Sequence, residues 1–186
     1  MNLPKRHSDI TTPWSYTRPA IFLHWLLALL LSVMAALGWY MMSIEKQPGS
    51  AWYFNLHKSI GISVLLLVGV RLFWRLQHKP EALPSQVPAL QAALARRTQQ
   101  LLYVCMLVLP VTGLTGSLYS KDGILFFGIA LPHPAANHDL SEQLFSIHGV
   151  TVWVLVALVS LHVAGGLKHL LVDRDGVFQR MWPKVP

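Results

Sequence analysis

The sequence predicts an all-α fold, an integral membrane antiparallel four-helix bundle forming a single domain over residues 1–186. Three observations predict it. Only 12% of residues are charged and 53% are hydrophobic, with a mean hydropathy of +0.44, whereas a soluble domain carries about 25% charged residues. Four apolar runs, at about 20–42, 54–76, 101–119 and 144–171, each approach or exceed the roughly 20 helical residues that cross a bilayer. The basic residues collect at one end of these runs, as loops on the cytoplasmic side of a membrane do.

Span one opens after Pro19 and closes near Met42, ahead of the turn sequence Gln47-Pro48-Gly49-Ser50. The stretch Met1–Pro19 holds Lys5, Arg6, Asp9 and Arg18 and has no apolar core. It does not read as a secretory signal, and span one is expected to be a retained helix. Span two is the least clean, its uncharged part running only from Ser59 to Val70. Lys58, Arg71 and Arg75 flank that part and can extend their side chains to the interfaces. Trp25, Trp39, Tyr40, Trp52 and Tyr53 include candidates for the interfacial aromatic belts. Pro80–Pro88, with three prolines, reads as an extended linker, and Ala89–Gln100 has a composition that leads helically into span three. Pro110 is expected to bend that span. Beyond it, Thr112, Gly113, Thr115 and Gly116 permit close approach by another helix or a flat ligand. Ser120–Ser141 is the longest connection before span four.

Topology follows from charge. Arg71, Arg75, Lys79, Arg96 and Arg97 surround the connection between spans two and three. Lys5, Arg6 and Arg18 precede span one, and Lys168, Arg174, Arg180 and Lys184 follow or close span four. The other two connections carry Glu45 and Lys46, and Lys121 against Asp122, Asp139 and Glu142. Both termini are therefore expected in the cytoplasm. The net charge of +7 is a topology signal and not a nucleic-acid footprint. Cys105 is the only cysteine, a small packing residue. A disulfide within the chain and covalent c-type haem attachment through C-x-x-C-H are both excluded. No P-loop, zinc-binding H-E-x-x-H or nucleophile motif occurs.

Histidines carry the chemistry. His148 and His162 lie fourteen residues apart in span four, hence on one helix face and about 21 Å apart along the axis. In the expected topology His24 lies at the same inner depth as His162, and His57 at the same outer depth as His148. Two pairs at two depths suit two flat, six-coordinate, noncovalently bound haems stacked across the bilayer. Any one of these histidines alone could equally be a helix–helix hydrogen-bonding group. A single nonhaem metal cluster is disfavoured because the pairs are too distant to share an ion. A proton relay would recruit acidic partners, and no Asp or Glu lies in an apolar core. Arg71, fourteen residues after His57, shares its face and reads either as a partner for an inner-haem propionate or as a contact to lipid phosphates. Lipid contact is the expectation for Arg75. Lys58 suits an outer propionate, an anionic substrate or an interface anchor. His169 reads as solvated at the membrane edge, with a quinone pocket or proton transfer as alternatives. His7, His78, His133 and His138 belong to polar segments.

His24, His57, Lys58, Arg71, His162 and His169 stand within stretches that resemble the prokaryotic cytochrome b561 family. They are Leu23-His24-Trp25, Asn55-Leu56-His57-Lys58-Ser59-Ile60-Gly61, Val70-Arg71-Leu72, and Arg96-Arg97-Thr98-Gln99-Gln100-Leu101-Leu102-Tyr103. Leu161 through His169, Asp173-Arg174-Asp175-Gly176 and Arg180-Met181 complete the pattern from about Pro13 to Pro183. The resemblance implies a four-helix, di-haem b membrane protein with axial ligands at His24, His57, His148 and His162. It implies electron transfer between the quinone pool, with ubiquinone as a further cofactor, and a periplasmic small-molecule or protein redox partner. The implied location is the bacterial inner membrane, among its lipids. At least one family member is described as a superoxide:ubiquinone oxidoreductase. Related proteins are cytochrome b subunits anchoring hydrogenases or formate dehydrogenases, some with an additional span that is absent here. A noncatalytic subunit and a haem-free proton pathway remain as the other readings.

Overall fold

The computed structural model describes residues 14–182. Four long helices make up most of it: α1 Arg18–Ser43, α2 Ser50–Gln77, α3 Ala89–Tyr119 and α4 His138–Lys168. Each is long and apolar enough to cross a membrane. Pro19 sits in the first turn of α1, where its missing N–H has no intrahelical acceptor to serve. Gly49, with φ of +86°, turns the chain into α2 in a conformation that glycine adopts without penalty. The result is an antiparallel membrane bundle, as the composition predicts.

The element boundaries differ from the apolar runs where polar sequence is helical. Helix α3 begins at Ala89 and runs on through Pro110 to Tyr119 without interruption. Helix α4 starts at His138 and not near Leu144, because the Asn137 side chain accepts from the Leu140 N–H at 3.1 Å and Asp139 lies in the first turn. Its α-helical part stops at Lys168, and one π-helical turn, His169–Asp173, ends at Arg174 with φ of +50°. A 3-10 turn, Phe178–Met181, follows. A two-stranded hairpin, β1 Leu125–Phe126 and β2 Ile129–Ala130, occupies the connection before α4, where no strand was expected. Lys5, Arg6, His7, Asp9 and Lys184 lie outside the described residues.

Packing divides the bundle unevenly. Helix α3 lies closely along α4, while α1 packs on α2 and α2 on α3. Two clusters fill the middle. Leu27, Val64 and Val68 form one, Cys105, Leu109 and Leu155 the other, and Leu31 and Met106 pack against both. Cys105 is thus a packing residue. At the end where the chain enters α1, the Tyr16 N–H donates to the Arg180 carbonyl at 3.1 Å. The Trp25 indole donates to the Met181 carbonyl at 2.9 Å. The segment after α4 is thereby tied to the start of α1.

Candidate functional site

The four histidines emerge from three helices into the bundle above and below the apolar middle. His24 of α1 meets His162 of α4 with ring centres 6.1 Å apart and planes at 75°. His57 of α2 meets His148 of α4 at 6.3 Å and 72°. These are the two pairings expected from charge topology and helix spacing. The Leu27, Val64, Val68 and Leu155 clusters lie between the two levels, so apolar packing separates one pair from the other.

The separations test what the pairs can hold. Two imidazoles on opposite sides of one metal ion have ring centres about 6.2 Å apart, from bonds of about 2.0 Å and nitrogen-to-centre distances of about 1.1 Å, each counted twice. Both pairs have ring-centre separations of that size. All four side chains are imidazoles, a donor set suited to haem iron.

The surroundings of each ring differ. His148 Nδ1 lies 2.8 Å from the Leu109 carbonyl, so this nitrogen carries the proton and leaves Nε2 with a free lone pair. Such a backbone acceptor orients a ligating imidazole and raises its basicity. Gly113, one turn beyond Leu109, makes room for it: a Cβ there would lie 3.1 Å from His148 Cε1 and Nδ1. The Thr112 hydroxyl, which donates to the Val108 carbonyl at 2.7 Å, sits 3.5 Å from the same Nδ1. The His57 ring packs against Gly38, where a Cβ would be 3.5 Å from Cε1. Its Nδ1 is buried without a hydrogen-bond partner among the described residues.

Arg71 does reach the His24/His162 pair. Its guanidinium donates to the Ala20 carbonyl at 2.9 Å, and Nη2 lies 3.3 Å from His24 Nδ1. A guanidinium has only donors, so His24 Nδ1 acts as acceptor in this contact. A metal held at Nε2 would require the other tautomer, with the proton on Nδ1, and Arg71 would then need another acceptor. Next to it is a cavity of about 350 Å³ lined by Tyr16, Ala20, Trp74, Arg75 and Tyr103 among others, a basic and aromatic space at the His24/His162 end of the bundle.

Other sequence expectations are revised. Arg75 does not simply extend to lipid: Nη2 donates to Gln99 Oε1 at 3.1 Å and the guanidinium lies over the Tyr103 ring at 5.5 Å. His169 is not solvated. Its side chain is only 13% exposed, with Nδ1 2.7 Å from Asp175 Oδ2 and 3.6 Å from Asp173 Oδ2, the carboxylates brought round by the π-helical turn. Lys58 donates to the Gly123 carbonyl at 2.8 Å and is committed to the β1–β2 segment. Gly116 serves helix approach, since a Cβ there would meet Phe145 Cε1 at 2.9 Å. His78 stacks on Trp74, His133 packs over Gly123, and His138 stands 3.8 Å from Glu142 at the surface. Nothing in the sequence marks Gly38 or the Leu109 carbonyl, since every residue carries a carbonyl, and Gly113 reads only as small.

Comparison with known proteins identifies the family. The sequence profile described as prokaryotic cytochrome b561 matches residues 15–184. The chain is 32% identical to cytochrome b561 homolog 2 of Escherichia coli (strain K12), over 95% of this chain and 96% of that one. It is 28% identical to a probable superoxide oxidase, CybB, of Yersinia pestis, over 91% and 96% respectively. Identity to cytochrome b561 homolog 1 of E. coli is 25%, over 91% and 97%.

Proposed function

Because the chain belongs to the prokaryotic cytochrome b561 family, a family of haem-binding membrane electron-transfer proteins, we propose that it holds two b haems and moves electrons between the quinone pool and a periplasmic partner. His24 and His162 would hold one haem, and His57 and His148 the other. The observation that carries this reading is the repeated ring separation, 6.1 and 6.3 Å, in two pairs borne at two depths. Superoxide is the periplasmic donor, a reading supported by the name of the Yersinia relative, and ubiquinone the acceptor. The termini and the His24/His162 pair face the cytoplasm of a bacterial inner membrane, in keeping with the placement of Arg18, Arg71, Arg75, Arg96 and Arg97.

Bound haem supplies one-electron chemistry. The protein's residues do the rest. His24 with His162, and His57 with His148, would hold the two haems through imidazole nitrogens, a donor set that would keep ligand rearrangement small on electron transfer. The Leu109 carbonyl holds the His148 proton on Nδ1, and the apolar clusters keep water from between the two pockets. Arg71, beside His24, would supply a guanidinium for a propionate, and the neighbouring cavity of about 350 Å³ would be the candidate quinone site.

The purified chain is expected to give two haems by pyridine haemochrome titration and a b-type α-band in the reduced-minus-oxidised spectrum. A value of one, or no band, defeats the depth-pairing argument. Rapid mixing with superoxide in the presence of quinone should reduce the haems. Failure of the isolated chain to react would favour a noncatalytic subunit that anchors a soluble dehydrogenase. Replacing Arg71 by Gln removes a cation beside the inner pair, so the midpoint potential of that haem should fall by about 30–60 mV. Potentiometric titration should show the outer wave unmoved.

A further inference from the structure

The hairpin before α4 does not rise away from the bundle. It folds back onto α2. The Ser59 hydroxyl, whose proton is shared between the Asn55 carbonyl at 2.8 Å and the Leu125 carbonyl at 3.1 Å, accepts from the Phe127 N–H at 3.0 Å. Ser59 lies six residues into α2 beyond Tyr53, which joins Tyr40 and Trp52 in an aromatic cluster. The hairpin therefore meets α2 about 9 Å deeper than that cluster, well within a half-bilayer of about 15 Å.

It also meets α2 on its outward side. Ser59 is two residues past His57, hence about 200° round the helix from the inward-facing imidazole. Leu66, Val70 and Phe73 fall within about 40° of the same direction, and they are 65%, 53% and 62% exposed, as lipid-facing residues are. Ser59, on that same stripe, is 1% exposed because the hairpin covers it. The outer surface of the hairpin continues the stripe with apolar side chains, Phe127 at 62% and Ile129 at 68% exposed.

Backbone at this depth must have its polar groups satisfied within the protein. Lys58 donates to the Gly123 carbonyl, the Leu131 N–H to Ile124, and Ser59 serves both Leu125 and Phe127. The two strands pair Leu125 with Ala130 and Phe126 with Ile129. Phe127 and Gly128 take φ of +46° and +91° in the turn, a place where Asn-Gly is the usual choice. A large aromatic held in that conformation at the tip serves an apolar environment and not water.

We propose that the hairpin from Gly123 to Ala130 is a re-entrant element lying in the leaflet at the α1–α2 end of the bundle, with Leu125, Phe127 and Ile129 against lipid acyl chains. Its role is to roof the polar pair Lys58 and Ser59, beside His57, against lipid. The inference does not depend on the haem reading and goes beyond it.

The test uses full-length protein in lipid nanodiscs, where both faces meet water, and a membrane-impermeant maleimide. Phe127→Cys and Ile129→Cys are compared with Lys121→Cys in the exposed part of the same connection, with Cys105 as the buried background thiol. Thiol attack requires hydrated thiolate, so both hairpin cysteines should label at least about tenfold more slowly than Lys121→Cys and recover in denaturing detergent. If either hairpin cysteine labels at a rate within tenfold of Lys121→Cys, the hairpin stands in water and the proposal fails. Nitroxides on the same cysteines give a second reading. Greater relaxation by oxygen than by a water-soluble nickel chelate supports insertion, and the reverse overturns it.

Discussion

The chain carrying His162→Ala is expected to retain one haem of two, lost from the pocket it shares with His24. This is the largest effect foreseen, because the substitution removes an axial ligand outright while leaving α4 intact, alanine being the best helix former. The pyridine haemochrome value should fall from two to about one per chain. The remaining absorbance should belong to the His57/His148 pair, which stands about 21 Å away along the helix behind the Leu27, Val64, Val68 and Leu155 clusters. His148→Ala should do the converse. Loss of both haems from either variant, with helicity preserved by circular dichroism, would mean that the pockets are not independent. Loss of neither would show that these rings are not ligands.

Gly113→Val is expected to have the next largest effect, without touching a ligand. Its Cβ would stand 3.1 Å from the Cε1 and Nδ1 atoms of His148, and the added methyls would close the approach to the Leu109 carbonyl. The ring must then leave its 2.8 Å hydrogen bond. Loss of such a partner weakens metal binding by about 10- to 100-fold, and a displaced ring adds to that. The outer haem should therefore be depleted in the purified variant and restored only in part by added haemin, while the His24/His162 pocket stays filled. Gly38→Ala is the comparison: its Cβ would lie 3.5 Å from His57 Cε1, an ordinary contact, and both haems should remain. Spectral titration with haemin distinguishes the two. Equal behaviour of the two variants would remove Gly113 from the outer pocket's design.

How much of this was legible in the chain follows from the range of each signal. The four spans, the shared face of His148 and His162, and the depth of Arg71 depend on helical period and apolar composition, which are local. The partner of each histidine came from the distribution of Lys and Arg, a property of the bilayer and not of packing. The beginning of α4 at His138 was missed because its first turns are polar and protrude beyond the apolar run. The hairpin was missed because Phe127-Gly128 stands where Asn-Gly would have announced a turn. His169 was misjudged because its partner Asp175 comes within reach only through the π-helical turn His169–Asp173.

By itself the sequence determined a membrane bundle of four helices and four histidines at two depths, since helix geometry converts residue spacing directly into face and height. Only the tertiary structure decided the orientation and tautomer of the rings and which groups press on them. His148 and its acceptor Leu109 are 39 residues apart, and Arg71 and His24 are 47 apart. Ser59 and the hairpin that covers it are 68 apart. Contacts of that range depend on how helices rotate and close on one another, a cooperative result of packing that no local pattern encodes.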